Sequence, residues 1–148
     1  MKNDITKILT LGLLCMTLGT KLSAHCEIPC GIYDDELRIN LILEHATTME
    51  KSMKAIMELE KQETKNMNQL IRWVSNKEEH ANKLQEIVTQ YFMTQRIKFD
   101  AKDYDKKLAA LHQMLIYSMK CKQTTDLTNI SKIRESVETF KHLYLHKH

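Results

Sequence analysis

Ten consecutive residues, His25-Cys26-Glu27-Ile28-Pro29-Cys30-Gly31-Ile32-Tyr33-Asp34, concentrate the groups of this chain that are best suited to bind and tune a metal ion. If the chain begins at His25, its new α-amine joins them, and an α-amine gives up its proton to a metal more readily than any lysine does. The amine of His25, the backbone nitrogen of Cys26 and the Cys26 thiolate are separated by two carbons each, so one ion bound by all three closes two unstrained five-membered rings. Cys30 completes a plane of two nitrogens and two sulfurs if the chain turns back after Cys26, and Pro29 followed by Cys30-Gly31 suits a tight turn. Square-planar donation of this kind is preferred by nickel(II) or copper(II), whereas zinc demands a tetrahedron. The imidazole of His25 reaches a fifth, axial position. Anionic thiolates and a deprotonated amide push electron density onto nickel and bring its trivalent state within reach, which is a requirement of one-electron chemistry and not of a structural metal. Read without the rest of the string, the same two cysteines also suit a Cys26–Cys30 disulfide in an oxidising compartment. Zinc storage and copper carriage are further uses of these donors.

Such a site requires His25 to be the first residue, and the preceding segment is composed to be removed. Lys2 and Lys7 precede an apolar run from Ile8 to Leu18, and Lys21-Leu22-Ser23-Ala24 follows it. A positive start, an apolar stretch too short for a permanent span and a small residue before the break describe a cleavable leader of residues 1–24. The leader points to export, to the periplasm or outside the cell, with a propeptide removed in the cytoplasm as the alternative. Its loss takes Lys2, Lys7 and Lys21 against Asp4, a net +2 of the formal +3, and leaves a charge of +1. Lys and Arg are interspersed with Asp and Glu along helical faces, so neither nucleic acid nor a membrane is expected as a partner of the mature chain. Cys15 leaves with the leader, and Cys121 is read as a small buried residue.

Both chain breakers of the mature sequence, Pro29 and Gly31, lie in its first seven residues, and everything beyond is free to be helical. Asp34 is an N-cap candidate, with Asp35 and Glu36 placing negative charge in the first turn. The first helix carries Leu37, Leu41, Ile42, Met49, Met53, Ile56 and Met57 and ends near residues 60–64. A second, from about Asn66 to Gln95, aligns Leu70, Trp73, Leu84, Ile87, Val88, Tyr91 and Phe92. Asp103 is placed as the cap of a third with Leu108, Leu111, Leu115 and Met119. Thr125 or Asp126 caps a fourth with Leu127, Ile130, Ile133, Val137, Phe140 and Tyr144. No segment has the alternation of a strand. The sequence therefore predicts an all-α protein, an antiparallel four-helix bundle over residues 35–148 preceded by an irregular hook over 25–34. No paired Glu-x-x-His motif of the ferritin-like carboxylate enzymes is present. His45, His80 and His112 are expected singly on helices, His142 and His146 in a polar C-terminus, and the Met49, Met53, Met57 stripe in the core.

The string HCEIPCGIYDD resembles the N-terminal nickel hook of the nickel superoxide dismutases, HCxxPCGxYD. Arg72-Trp73-Val74, Lys77-Glu78-Glu79-His80-Ala81, Tyr91-Phe92 and Gln95-Arg96-Ile97-Lys98 extend the resemblance to the marine bacterial and cyanobacterial branch of that family. The resemblance implies His25, Cys26 and Cys30 as ligands of one nickel ion per subunit. It implies that Tyr33 lines the access of superoxide to the metal and that Tyr91 is a second tyrosine near the hook. It further implies a protease that exposes His25, a homohexamer of four-helix bundles, and a ping-pong dismutation in which nickel cycles between its divalent and trivalent states. Glu27 stands where aspartate is common and Asp35 where proline is common, neither being a ligand. The alternative function is a secreted helical binding module with a Cys26–Cys30 disulfide or with a metal that does no redox work.

Overall fold

The computed structural model describes residues 31–145 and consists there of four helices joined by short polar links. Helix α1 spans Asp35–Glu60, α2 Met67–Glu86, α3 Tyr104–Gln123 and α4 Thr128–Leu145. A π-helical segment, Ile87–Arg96, continues α2 without a break. Helix α1 packs mainly on α2 and α3 on α4, while α2 on α3 and α1 on α4 close the ring.

Side-chain bonds fix an antiparallel register on all four sides. Between α1 and α2, Asn76 donates to the Ser52 hydroxyl at one end and Tyr91 to Asp35 at the other. Lys77 reaches the Lys122 carbonyl and Ser118 the Ala81 carbonyl between α2 and α3. Ser136 of α4 donates to Gln113 of α3, Arg134 reaches Glu50 of α1, and Tyr144 meets Asp35.

Capping explains where most helices start. The Asp34 carboxylate accepts from the Leu37 N–H at 3.0 Å, the Asn66 side chain from Gln69 N–H at 3.2 Å, and Asp126 from both the N–H and the hydroxyl of Thr128. Each of these satisfies a backbone donor that the first turn of a helix leaves open. Asp103 departs from expectation. Its backbone is left-handed at φ 55°, and its carboxylate takes Lys106 at 2.8 Å instead of the backbone.

Ile39, Ile42, Ala46, Met49 and Met53 of α1 meet Ala81, Leu84, Val88 and Phe92, then Leu111, Met114 and Cys121, then Ile133, Val137 and Phe140. Met49 and Met53 are in this core, as their spacing predicts, while Met57 lies at its margin. Cys121 is fully enclosed, and burial pushes its thiol up to about 11, consistent with a packing role.

The inward face of α3 differs from the predicted one. Lys107, Ala110, Leu111, Met114, Ser118 and Cys121 are buried, whereas Met119 is 38% exposed and Leu108 and Leu115 sit at the edge. The line is displaced by about one residue because polar side chains with partners occupy part of it. Ser118 is satisfied by a carbonyl of α2, and the Lys107 ammonium lies 5.8 Å from the centre of the Tyr144 ring. Leu37, placed on the α1 stripe, is 49% exposed.

At the end of the bundle where α1 begins, aromatic rings replace aliphatic packing. Phe92 meets Tyr91 at 5.0 Å, Phe140 at 4.9 Å and Tyr144 at 5.7 Å, all edge to face, and Phe140 stacks on Tyr144. Truncating Phe92 to Ala opens a cavity at the meeting point of three helices and is expected to destabilise the protein by about 3–5 kcal/mol. Met119→Ala is expected to change stability by less than about 0.5 kcal/mol. Denaturant unfolding of the two variants checks the displaced face of α3, since equal losses would restore the predicted stripe.

Candidate active site at the root of the N-terminal hook

Chain direction at the entrance to the bundle is set by Gly31, whose φ of 75° is left-handed. A Cβ at this position would meet nothing within 4 Å, so backbone conformation and not space demands glycine. Ile32 to Asp34 are non-helical, and the Asp34 cap fixes the geometry with which α1 starts.

Tyr33 sits on this lead-in, 44% exposed. Its ring meets the edge of Tyr91 with centroids 6.0 Å apart, and the Arg96 guanidinium carbon lies 4.3 Å from the centre of its ring. Tyr91 by contrast is only 3% exposed. The two tyrosines singled out from the sequence are therefore neighbours, one facing solvent and one buried behind it.

Behind both lies a single carboxylate. Asp35 accepts from Arg96 Nε at 2.8 Å and Nη2 at 2.6 Å, from the Tyr91 hydroxyl at 2.6 Å and from the Tyr144 hydroxyl at 2.8 Å. The guanidinium fork and carboxylate are planar and complementary, the geometry in which an ion pair is strongest. Burial opposes ionisation of Asp35, but the bonds from Arg96, Tyr91 and Tyr144 outweigh it and hold the carboxyl below its ordinary value. Burial and then the bond to Asp35 raise both phenols, that of Tyr144 to about 12. Each phenol is thus held as a hydrogen-bond donor.

The π register brings Tyr91 and Arg96 together. In an α-helix, residues five apart point about 140° away from each other. Here the Ile97 N–H bonds the Phe92 carbonyl, five residues back, and Thr94 and Gln95 send side-chain bonds to the carbonyls of Thr89 and Gln90. Five residues then make roughly one turn, and Tyr91 and Arg96 share a face toward Asp35.

Arg38 borders the same place from α1. Its guanidinium carbon lies 5.1 Å from the Tyr91 ring centre, and its buried Nε has no hydrogen-bond partner among the described residues. A shallow cavity of about 250 Å³ runs beside it, lined by His45, Lys83, Gln90 and Tyr91 among others. His45 and His80 do not stand singly as expected. Their Nδ1 atoms are 3.1 Å apart, one donating to the other across α1 and α2. Burial and then the charge of His80 lower the His45 pKa.

His25, Cys26 and Cys30 lie outside the described residues, as do residues 1–24 and His146. Among the described residues no three His, Cys, Asp or Glu side chains gather to hold a metal, and no helix is long and apolar enough to cross a membrane. Sequence reasoning missed Arg96, Tyr144 and Arg38 as neighbours of the two tyrosines. It noted Asp35 as negative charge in the first turn of the first helix and as a substitution at a non-ligand position, not as the acceptor of Arg96 and two phenols. Helical spacing gave no signal for Arg96, because the π register places it on a face that an α-helix would not.

Replacing Asp35 by Asn removes the charge that holds Arg96 and is expected to cost about 2 kcal/mol at neutral pH. The sign with pH follows from the lowered pKa in the folded state: this stability is present above the unfolded carboxyl value of 3.8 and is lost as pH falls through the folded one. Thermal unfolding of Asp35→Asn and the parent is therefore expected to differ most above pH 5 and to converge in acid. A gap independent of pH would contradict the ionised pair.

No curated protein and no solved structure matches this chain. The family model of the nickel-containing superoxide dismutases, however, matches residues 20–148, which include the whole hook and every helix. With both the cysteine-rich lead-in and the helical bundle inside one match, the chain belongs to the nickel-containing superoxide dismutase family.

Proposed function

We propose that this nickel superoxide dismutase works at a hook formed by His25, Cys26 and Cys30 and rooted on the bundle through Tyr33 and Asp35. The family match carries the activity, and the hook motif immediately before a tyrosine fixed against the bundle carries the location. The reaction converts two superoxide anions and two protons into dioxygen and hydrogen peroxide. Bound nickel supplies the one-electron oxidation and reduction that this requires.

The donor set fits that ion. The amine of His25, the amide and thiolate of Cys26 and the thiolate of Cys30 would hold the ion with nitrogen and sulfur donors of the kind nickel(II) prefers, and the His25 imidazole would be a further nitrogen donor. The left-handed backbone at Gly31 turns the chain directly after Cys30. The secreted binding-module reading has no comparable support.

Tyr33 contributes an exposed phenol three residues after Cys30, a distance of at most about 11 Å of chain, and so lines the approach to the metal. Tyr91 stands behind it and orders it by ring contact, its own hydroxyl being engaged by Asp35. Arg38 places a guanidinium beside Tyr91 at this end of the bundle, its Nε without a hydrogen-bond partner among the described residues, and a positive charge there favours an anionic substrate.

Maturation follows from the ligand set, because only a chain cut after Ala24 offers the amine of His25. A leader-removing protease is therefore a partner of the precursor. The apolar run of the leader favours export to the periplasm or outside, with cytoplasmic removal of a propeptide as the alternative. Ile32, Leu37, Met67, Ile71, Val74 and Phe99 are large apolar side chains left exposed on one subunit. They offer surface for assembly, in keeping with a homohexamer.

Nickel added to the chain beginning at His25 is expected to produce thiolate-to-metal absorption and superoxide consumption. One extra residue before His25 is expected to abolish the activity, and stopped-flow decay of superoxide measures both. Equal activity with the extra residue would remove the free amine from the site. In the chain beginning at His25, Gly31→Ala is expected to destabilise the lead-in by about 1 kcal/mol, visible as weaker nickel retention in a chelator competition.

A further inference from the structure

We propose that Arg96, gripped by Asp35, is a positioning residue that sets the orientation of Tyr33 over the approach to the hook. The inference deepens the reading of Tyr33 given above and rests on it for its catalytic consequence, but not for the physical coupling.

Arg96 is the last residue of the π-helical segment, and two contacts define its guanidinium. One edge is forked onto both oxygens of Asp35 at 2.6 and 2.8 Å. Its carbon lies 4.3 Å from the centroid of the Tyr33 ring, within the range of a cation–π contact. The fork fixes the plane, and the fixed plane gives the ring a surface to lie on. Tyr33 otherwise has one described ring neighbour, Tyr91, which meets it edge to face. Two rigid groups at an angle to each other hold an exposed ring that neither would hold alone.

The grip is itself anchored on three elements. Asp35 belongs to the first turn of α1, Tyr91 and Arg96 to the π-helical segment, and Tyr144 to the last turn of α4. Tyr144 and Tyr91 saturate the carboxylate from the bundle side, so the Arg96 fork meets an acceptor that cannot swing. Arg96 thus offers Tyr33 a flat, fixed face as well as a charge. A lysine at this position would keep the charge but has a tetrahedral ammonium, with neither the fork nor the flat face.

The test compares Arg96→Gln and Arg96→Lys with the parent in the chain beginning at His25, with and without nickel. Tyr33 ring resonances, assigned by their loss in Tyr33→Phe, are read by NMR in the metal-free protein, and superoxide decay and nickel content are read in the loaded protein. Positioning predicts that both variants shift and broaden the Tyr33 ring signals. It also predicts that both lower kcat/KM about fivefold at unchanged nickel content, the equivalent of losing one cation–π contact. Unmoved ring signals in both variants would overturn the proposal, as would full rescue by Arg96→Lys, which would assign Arg96 a charge role. Should Arg96→Gln not fold, as judged by circular dichroism, Arg96→Lys and Asp35→Asn carry the same readout, and Asp35→Asn is expected to release the ring in the same way. Shifted ring signals with unchanged kcat/KM, accompanied by full activity of Tyr33→Phe and Tyr33→Ala, would leave the coupling intact and instead remove Tyr33 from the working site.

Discussion

One ionised carboxylate, Asp35, holds together the end of the bundle on which the N-terminal hook is rooted. It lies in the first turn of α1, where negative charge is favoured by the helix dipole, and it accepts from an arginine fork and two phenols. Burial of a carboxylate is costly unless its oxygens are filled, and here the four bonds come from two other elements of the bundle. The start of α1, the end of the π-helical segment and the end of α4 are thereby tied at one point. Residues 31–34 lead into α1 at that point.

Aromatic packing makes the same end rigid. Phe92, Phe140 and Tyr144 form a layer beneath the carboxylate, and Tyr91 joins it by its edge. The π register is what allows consecutive residues to serve both layers. Phe92 faces the core, Tyr91 turns its hydroxyl to Asp35, and Arg96 returns to the same face one wide turn later. Wide turns of this kind are uncommon and recur at functional sites, where a side chain has to be aimed in a direction that an α-helix does not offer.

Much of this architecture is legible in the sequence. The caps at Asp34 and Asp126, the start of a helix near Asn66 and the stripe from Leu127 to Tyr144 are found as the pattern predicts. The face of α3 was misplaced because Lys107 and Ser118 occupy buried positions by virtue of partners on other helices, which hydrophobicity does not register. The Asp35 cluster was invisible for a related reason. Its members are separated by 56, 61 and 109 residues along the chain, and one of them reaches it only through a change of helical register. The proposed metal donors are the opposite case, since their chemistry lies in adjacent residues and is read without any fold.

The two kinds of information meet at Tyr33, between a ligand string written in sequence and an anchor written in tertiary structure. The bundle provides a fixed root, and the proposed hook would provide the metal chemistry of the family. The central claim is that nickel is held by His25, Cys26 and Cys30. Nickel K-edge X-ray absorption of the loaded chain beginning at His25 tests it most directly. The account predicts a shell of mixed sulfur and nitrogen neighbours that loses sulfur in Cys26→Ser and in Cys30→Ser and is unchanged in Cys121→Ser. A shell of nitrogen and oxygen alone, or one indifferent to Cys26 and Cys30, would contradict it.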